Sequence, residues 1–163
     1  MIKNGCVRTD NMSGTTLGKN LVSAKYMVGG TEAAIENGHV VLIKELLEGQ
    51  REVREAGTPT KNSPLNEIAL VASEEVIKEK AYNTLSEFIN KAGDIIRCYR
   101  LVSHDIFAVS VEALDAEACA KGDYVELGEG TKLKVVQTPT EGATQVGRVI
   151  EVTADGWNTI EVA

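Results

Sequence analysis

The chain has 163 residues, enough for one ordinary domain or a compact body with a smaller lobe, and its net charge is −7. An apolar share of 43% with 25% charged residues supports a real core and argues against disorder throughout, while 4% aromatic leaves that core to Val, Ile, Leu and Ala. The acidic balance argues against nucleic acid as a partner, and no apolar run of the ~18 residues a membrane helix needs is present.

In chain order, residues 1–30 read as an extended N-terminal arm. Lys3, Arg8, Lys19 and Lys25 against Asp10 make this stretch basic, net +3, and leave −10 for the rest. Lys3 is not followed by an apolar run, so a signal peptide is not expected. The stretch from Asp10 to Thr16 is polar, Gly29-Gly30 closes the segment, and only Leu21-Val22 and Tyr26-Met27-Val28 offer apolar anchors. So little apolar surface does not offset the entropy of ordering, and the arm is expected either to order against a neighbour or to stay mobile.

Residues 31–163 read as a β-rich body. Asn37-Gly38 is a turn feeding a buried strand, His39-Val40-Val41-Leu42-Ile43. Glu48 to Glu55 is charged and expected to be exposed. Thr58-Pro59 and Ser63-Pro64 mark a loop, because proline pushes its predecessor out of the helical region. Ile68-Ala69-Leu70-Val71 is a short strand. Leu85, Phe88, Ile89 and Ala92 recur at helical spacing, with Gly93 placed to stop them, which predicts one short helix near 84–92.

Strands return after Gly93, at Ile95–Val102 and Ile106–Val111, joined through Ser103-His104-Asp105. Asp123–Leu127, Gly128-Glu129-Gly130 and Thr131–Val135 form a hairpin with Val125, Leu127, Leu133 and Val135 facing inward. A second hairpin runs from Val146 to Val162 through Asp155-Gly156-Trp157. No internal repeat is legible. The expected fold class is mainly β with one short helix, a small antiparallel barrel or sandwich carrying the arm.

Candidates for chemistry each have a structural explanation. His104-Asp105 fits a turn better than a catalytic dyad, since sequence neighbours on a tight turn point apart. His39 leads into a strand, and two histidines do not make a His-rich metal site. Gly128-Glu129-Gly130 lacks the helix that follows a phosphate-binding loop. Glu74-Glu75 and Glu52/Glu55 read as solvated faces. Trp157 reads as a ring covering one end of the barrel. Cys6, Cys98 and Cys119, odd in number and widely spaced, read as reduced thiols. No catalytic residue, cofactor or metal is therefore expected, and the chain reads as a binding surface and not an enzyme.

Several segments carry a resemblance. Asn62-Ser63-Pro64-Leu65-Asn66-Glu67-Ile68-Ala69-Leu70-Val71 precedes Leu85-Ser86-Glu87-Phe88-Ile89-Asn90-Lys91-Ala92-Gly93, followed by Asp105–Val109, Gly122-Asp123-Tyr124-Val125-Glu126-Leu127, Thr131–Val136 and Val146–Glu151. Over roughly residues 35–163 the series resembles the head decoration, or capsid-cementing, proteins of tailed bacteriophages and prophages of Gram-positive hosts. The resemblance implies a protein made in the host cytoplasm that adds to the outside of an assembled shell in the virion and clamps neighbouring major capsid subunits, with self-association on that shell. It transfers no functional residue one by one. The basic arm supplies the expected capsid contacts: Lys3, Arg8, Lys19, Leu21, Val22, Lys25 and Tyr26. A tail or baseplate component and a small-molecule-binding barrel are the alternatives.

Overall fold

A computed structural model describes residues 3–8, 12, 18–75 and 87–163. Its regular structure is twelve strands with short 3-10 turns between them: β1 (Leu21–Val28), β2 (Thr31–Glu32), β3 (Val40–Leu46), β4 (Val53–Gly57), β5 (Ile68–Val71), β6 (Ile96–Arg100), β7 (Ile106–Ser110), β8 (Leu114–Asp115), β9 (Tyr124–Leu127), β10 (Leu133–Val136), β11 (Gln145–Val152) and β12 (Trp157–Val162). The mainly β, barrel-type expectation holds.

The first six strands form one sheet that closes on itself. β4, β3, β5 and β6 are successive antiparallel neighbours, and β1 completes the ring, parallel to β4 and antiparallel to β6. Its lumen is packed by Val22, Ala24, Tyr26, Val41, Ile43, Ala56, Ala69, Val71, Ile96 and Cys98. Three alanines among these let five strands close around branched and aromatic side chains without overpacking.

β1 corrects the reading of residues 1–30 as an arm. Its side chains alternate, Val22, Ala24 and Tyr26 inward and Leu21, Ser23 and Lys25 outward, so the segment is a central barrel strand. Its apolar content is low only because the lumen asks for alanine. Gly5, Cys6 and Val7 are buried as well, and Val7 bridges Val109 of β7.

The expected helix near 84–92 is also corrected where it is described. Residues 88–92 are extended or turned, and Ile35 and Asn90 exchange both backbone N–H···O bonds at 3.0 Å. Asn90 is buried and donates to the Ile35 carbonyl and to Asn37 Oδ1. An amide that bonds the backbone of another segment competes with the helical ladder, and here it wins. Leu85 lies outside the described residues. Gly93 keeps its left-handed role (φ 89°), in a turn.

The second sheet, ordered β7-β12-β11-β9-β10-β8, is curled. Its two ends are consecutive in the chain, separated by the 3-10 turn Val111–Ala113. This sheet repeats the first. The pairs β3–β4, β3–β5, β5–β6 and β6–β1 correspond to β9–β10, β9–β11, β11–β12 and β12–β7, all antiparallel. The parallel pair β1–β4 corresponds to β8–β10.

Register agrees too: Val40–Leu70, Leu70–Tyr99 and Tyr99–Leu21 match Tyr124–Arg148, Arg148–Glu161 and Glu161–Ile106. Gly38 (φ 81°) and Gly122 (φ 99°) make the same turn, donating to Val71 O and Val149 O at 2.8 and 2.7 Å. Thr58-Pro59-Thr60 and Thr138-Pro139-Thr140 each lead into a turn, closed by Ser63 N–H to Thr60 O and Ala143 N–H to Thr140 O, and Thr144 N–H donates to Lys61 O to join the two turns. The chain therefore does contain an internal repeat.

The two sheets share a core. Within β5, Ala69 and Val71 face the first lumen, while Ile68 and Leu70 join Val40, Leu101, Phe107, Val125, Leu127, Leu133, Val149 and Ile160 in a second cluster. The wall β3–β5 is thus buried on both faces, which is why its sequence is a continuous apolar run and not an alternating one.

Candidate contact surface

The seven residues assigned to shell contact do not form one patch. Val22 and Tyr26 fill the barrel lumen, with the Tyr26 hydroxyl 2.7 Å from Thr58 Oγ1, and neither side chain is presented at the surface. Lys25 points outward and pairs with Glu32 of β2 at 2.7 Å. Leu21 lies at the opposite end of β1, facing outward beside Tyr99, and Lys19 is exposed in the turn Gly18–Asn20. Arg8 donates its backbone N–H to Ala108 O and places its guanidinium 5.8 Å from the centre of the Trp157 ring. Lys3, with a side chain 71% exposed, reaches Glu87 at 2.7 Å.

One end of the first barrel does gather exposed apolar groups, and most of them were not singled out from the sequence. The β1–β2 hairpin carries Val28, 52% exposed. Beside it runs the segment 87–95: Gly93 packs so closely on the Glu32 carboxylate that a Cβ there would lie 2.8 Å from Oε2, and Ile96 pairs with Ala24. That segment exposes Ile89 (39%) and Ile95 (58%). An open cleft of about 410 Å3 lies along it, lined by Ser73, Glu74, Phe88, Asn90, Ile95 and Arg97.

Hydrogen bonds satisfy the polar groups at the floor of this cleft. Asn37 accepts from Ser73 N–H and donates to Ser73 O, Asn90 donates to Asn37, and Arg97 N–H donates to Ser73 Oγ. Arg97 and Glu74 pair at 3.0 Å on the rim. Glu75, expected on a solvated face, instead accepts from Asn37 Nδ2, and burial pushes its pKa up. The Lys3–Glu87 and Lys25–Glu32 pairs flank the same end. They are exposed and worth about 0.2–1 kcal/mol each, so they act as a polar rim more than as fasteners.

The remaining polar candidates are built into the scaffold. His104 (φ 70°) and Asp105 form a turn in which Asp105 Oδ2 accepts Val102 N–H, and His104 Nδ1 lies 3.6 Å from Glu161. His39 is buried between the sheets, with Nδ1 3.0 Å from Thr131 Oγ1 and Nε2 3.7 Å from Glu36 Oε2; burial drives its pKa down to about 4 against an opposing effect of Glu36. Glu126 is 1% exposed. Its burial pushes the pKa up, but the Thr140 hydroxyl and N–H, the Gln145 amide and Lys134 together hold it below the ordinary value. It anchors the loop 137–144 over the outer face of β9 and β10.

None of the three cysteines forms a disulfide, and burial raises the Cys6 thiol to about 11 and Cys98 to about 12. Among the described residues no His, Cys, Asp and Glu cluster has metal-binding geometry, and no helix is long and apolar enough to cross a membrane. No known protein family, curated protein or solved structure matches the chain.

Proposed function

We propose that this is a non-enzymatic virion structural protein that binds the outside of a phage capsid and stabilises contacts between major capsid subunits. The observation that carries the reading is the barrel end bearing exposed Val28, Ile89 and Ile95, the last lining an open cleft, with the charged pairs Lys3–Glu87 and Lys25–Glu32 at the same end. Exposed apolar side chains bordered by charged pairs, on a β scaffold, suit a protein-docking surface. The segment resemblance over residues 35–163 supports the same reading, and the acidic body would keep copies apart before they meet a shell. The contact moves from the arm as a whole to this end of the first barrel, retaining Lys3 and Lys25 from the earlier set.

Purified protein mixed with heads assembled from the major capsid protein of the same genome tests this. Co-sedimentation with expanded, emptied heads and not with precursor shells is expected; no binding to either would overturn the proposal. The size of the cleft favours one further reading, a small-molecule site, since ligand pockets span ~300–1,000 Å3. That reading requires a ligand-dependent rise in melting temperature. A tail or baseplate location would appear as label away from the head in electron micrographs of labelled virions.

A further inference from the structure

We infer that the outward face of the second sheet docks on the same face of a second copy of this chain, with Arg148 of each copy meeting Glu161 of the other. The inference stands independently of the shell reading.

One row of side chains crosses that face. Ile106, Glu161, Arg148, Tyr124 and Val136 are direct cross-strand partners, from β7 through β12, β11 and β9 to β10. Their chain neighbours Phe107, Ile160, Val149 and Val125 point into the shared core, so the alternation of a strand turns the row away from it. Five strands spaced about 4.8 Å apart make the row about 19 Å long. Arg148 is exposed and the other four are half-buried. The Arg148 guanidinium lies over the Tyr124 ring, 4.2 Å from its centre, and donates to the Tyr124 hydroxyl. β11 is bulged on both sides of Arg148, between Gln145 and Gly147 and between Val149 and Glu151. Bulges bend a strand and re-aim its side chains, so β11 is shaped locally around this position.

The internal repeat shows what this face does in the other half of the chain. The equivalent row of the first barrel is Leu21, Tyr99, Leu70 and Val40. Val40, Leu70 and Tyr99 pack into the core that joins the two sheets, so the outward face is the docking face of the repeated unit. The second unit places Tyr124, Arg148 and Glu161 at those three positions. A polar row in place of an apolar one suits a contact that forms and separates. A further copy cannot dock as the second sheet docks on the first, because that needs an open concave face. The concave face of the second sheet is filled by the first barrel, and the lumen of the first is closed and packed. Like face on like face is the arrangement left.

The row is complementary to itself. A two-fold axis in the contact plane, parallel to the strands and between β11 and β12, sets Glu161 of each copy opposite Arg148 of the other and Ile106 opposite Tyr124. Opposite charges then meet at the centre, with apolar and aromatic groups beside them. Moving the axis onto either strand would set Arg148 against Arg148 or Glu161 against Glu161, so the charges also fix the register. The two charges cancel locally while the acidic bodies repel at longer range. Association is therefore expected at high protein concentration and physiological salt, and not in dilute solution.

Sedimentation velocity of the full chain, from micromolar to millimolar concentration, tests this. The wild type is expected to show a monomer–dimer equilibrium. R148E and E161R are each expected to weaken it at least about tenfold, and the swap R148E/E161R to restore it. E161R lowers the net negative charge and would strengthen an association governed by overall repulsion, so weakening there points to the row itself. Melting curves check that each variant folds; should a reversal fail to, R148Q and E161Q take its place with the same expected weakening. Monomer at every concentration, a dimer that either single change leaves intact, or a swap that stays monomeric would overturn the inference.

Discussion

Acidification to pH 4 is expected to weaken the protein, and a separable part of that loss runs through His39. In the folded chain its imidazole is buried between the two sheets, bonded through Nδ1 to Thr131 and held near a pKa of about 4, against an ordinary value of 6.5. Because the folded pKa is the lower one, the unfolded chain takes up the proton first as pH falls. Stability is therefore unaffected well above pH 6.5, declines as pH drops below it, and stops declining on this account below about 4. The gap of 2.5 between those values, at about 1.4 kcal/mol each, amounts to about 3 kcal/mol. The assay is urea unfolding of the wild type and His39→Asn at a series of pH values. Asn can still bond Thr131 but does not titrate. Taking the difference between the two proteins removes the acid sensitivity both share, including that of Glu126, whose lowered pKa also loses stability as pH falls. The difference should shift by about 3 kcal/mol in favour of His39→Asn between pH 7 and pH 4. Parallel curves would refute the assignment of a buried, neutral His39.

Other expected outcomes concern packing and the anchored loop. Gly147→Ala places a Cβ 1.9 Å from the Glu161 carbonyl oxygen in the β11–β12 ladder, so strand separation and a loss of at least about 2 kcal/mol are expected in denaturant unfolding, against little change for Gly130→Ala, which meets nothing. Leu70→Ala empties a fully buried position in the core that joins the two sheets and should cost about 2–5 kcal/mol, read by the same unfolding assay. Glu126→Ala leaves the Thr140 N–H and Gln145 amide without their acceptor, so faster amide exchange is expected at Thr140 and the loop 137–144 while β12 keeps its protection.

Much of the second sheet was legible in the sequence because its strands alternate. Val125, Leu127, Leu133 and Val135 face inward as their spacing implies, and both hairpins are where turn chemistry puts them. The first barrel was harder, for a physical reason: its lumen is narrow. β1 presents Ala24 between Val22 and Tyr26, and β4 presents Ala56 within a charged stretch, so neither carries the apolar density that marks a strand. Leu85, Phe88, Ile89 and Ala92 had helical spacing without helical context; a buried Asn90 paired to Ile35 decided the local structure over its described part. The repeat was hidden because equivalent outward positions face opposite surroundings. Val40 and Leu70 are buried against the second sheet, while Tyr124 and Arg148, their counterparts, are not, so few identities survive beyond the Gly38 and Gly122 turns and the two Thr-Pro-Thr stretches. The contact surface was nearly invisible because Val28 and the segment carrying Ile89 and Ile95 come to one end only through the closing of the barrel.

The proposed docking of this end of the first barrel on a phage head is open to a direct test by substitution. Ile89→Asp/Ile95→Asp introduces charge at two exposed positions that carry no load in the core, so folding should be retained and its melting curve should match the wild type. Binding of both proteins to expanded, emptied heads of the same phage is the decisive measurement. Saturable binding of the wild type is expected, with at least about tenfold weaker binding of the variant, the equivalent of ~1.4 kcal/mol. Equal binding by both, or binding by neither, would contradict it.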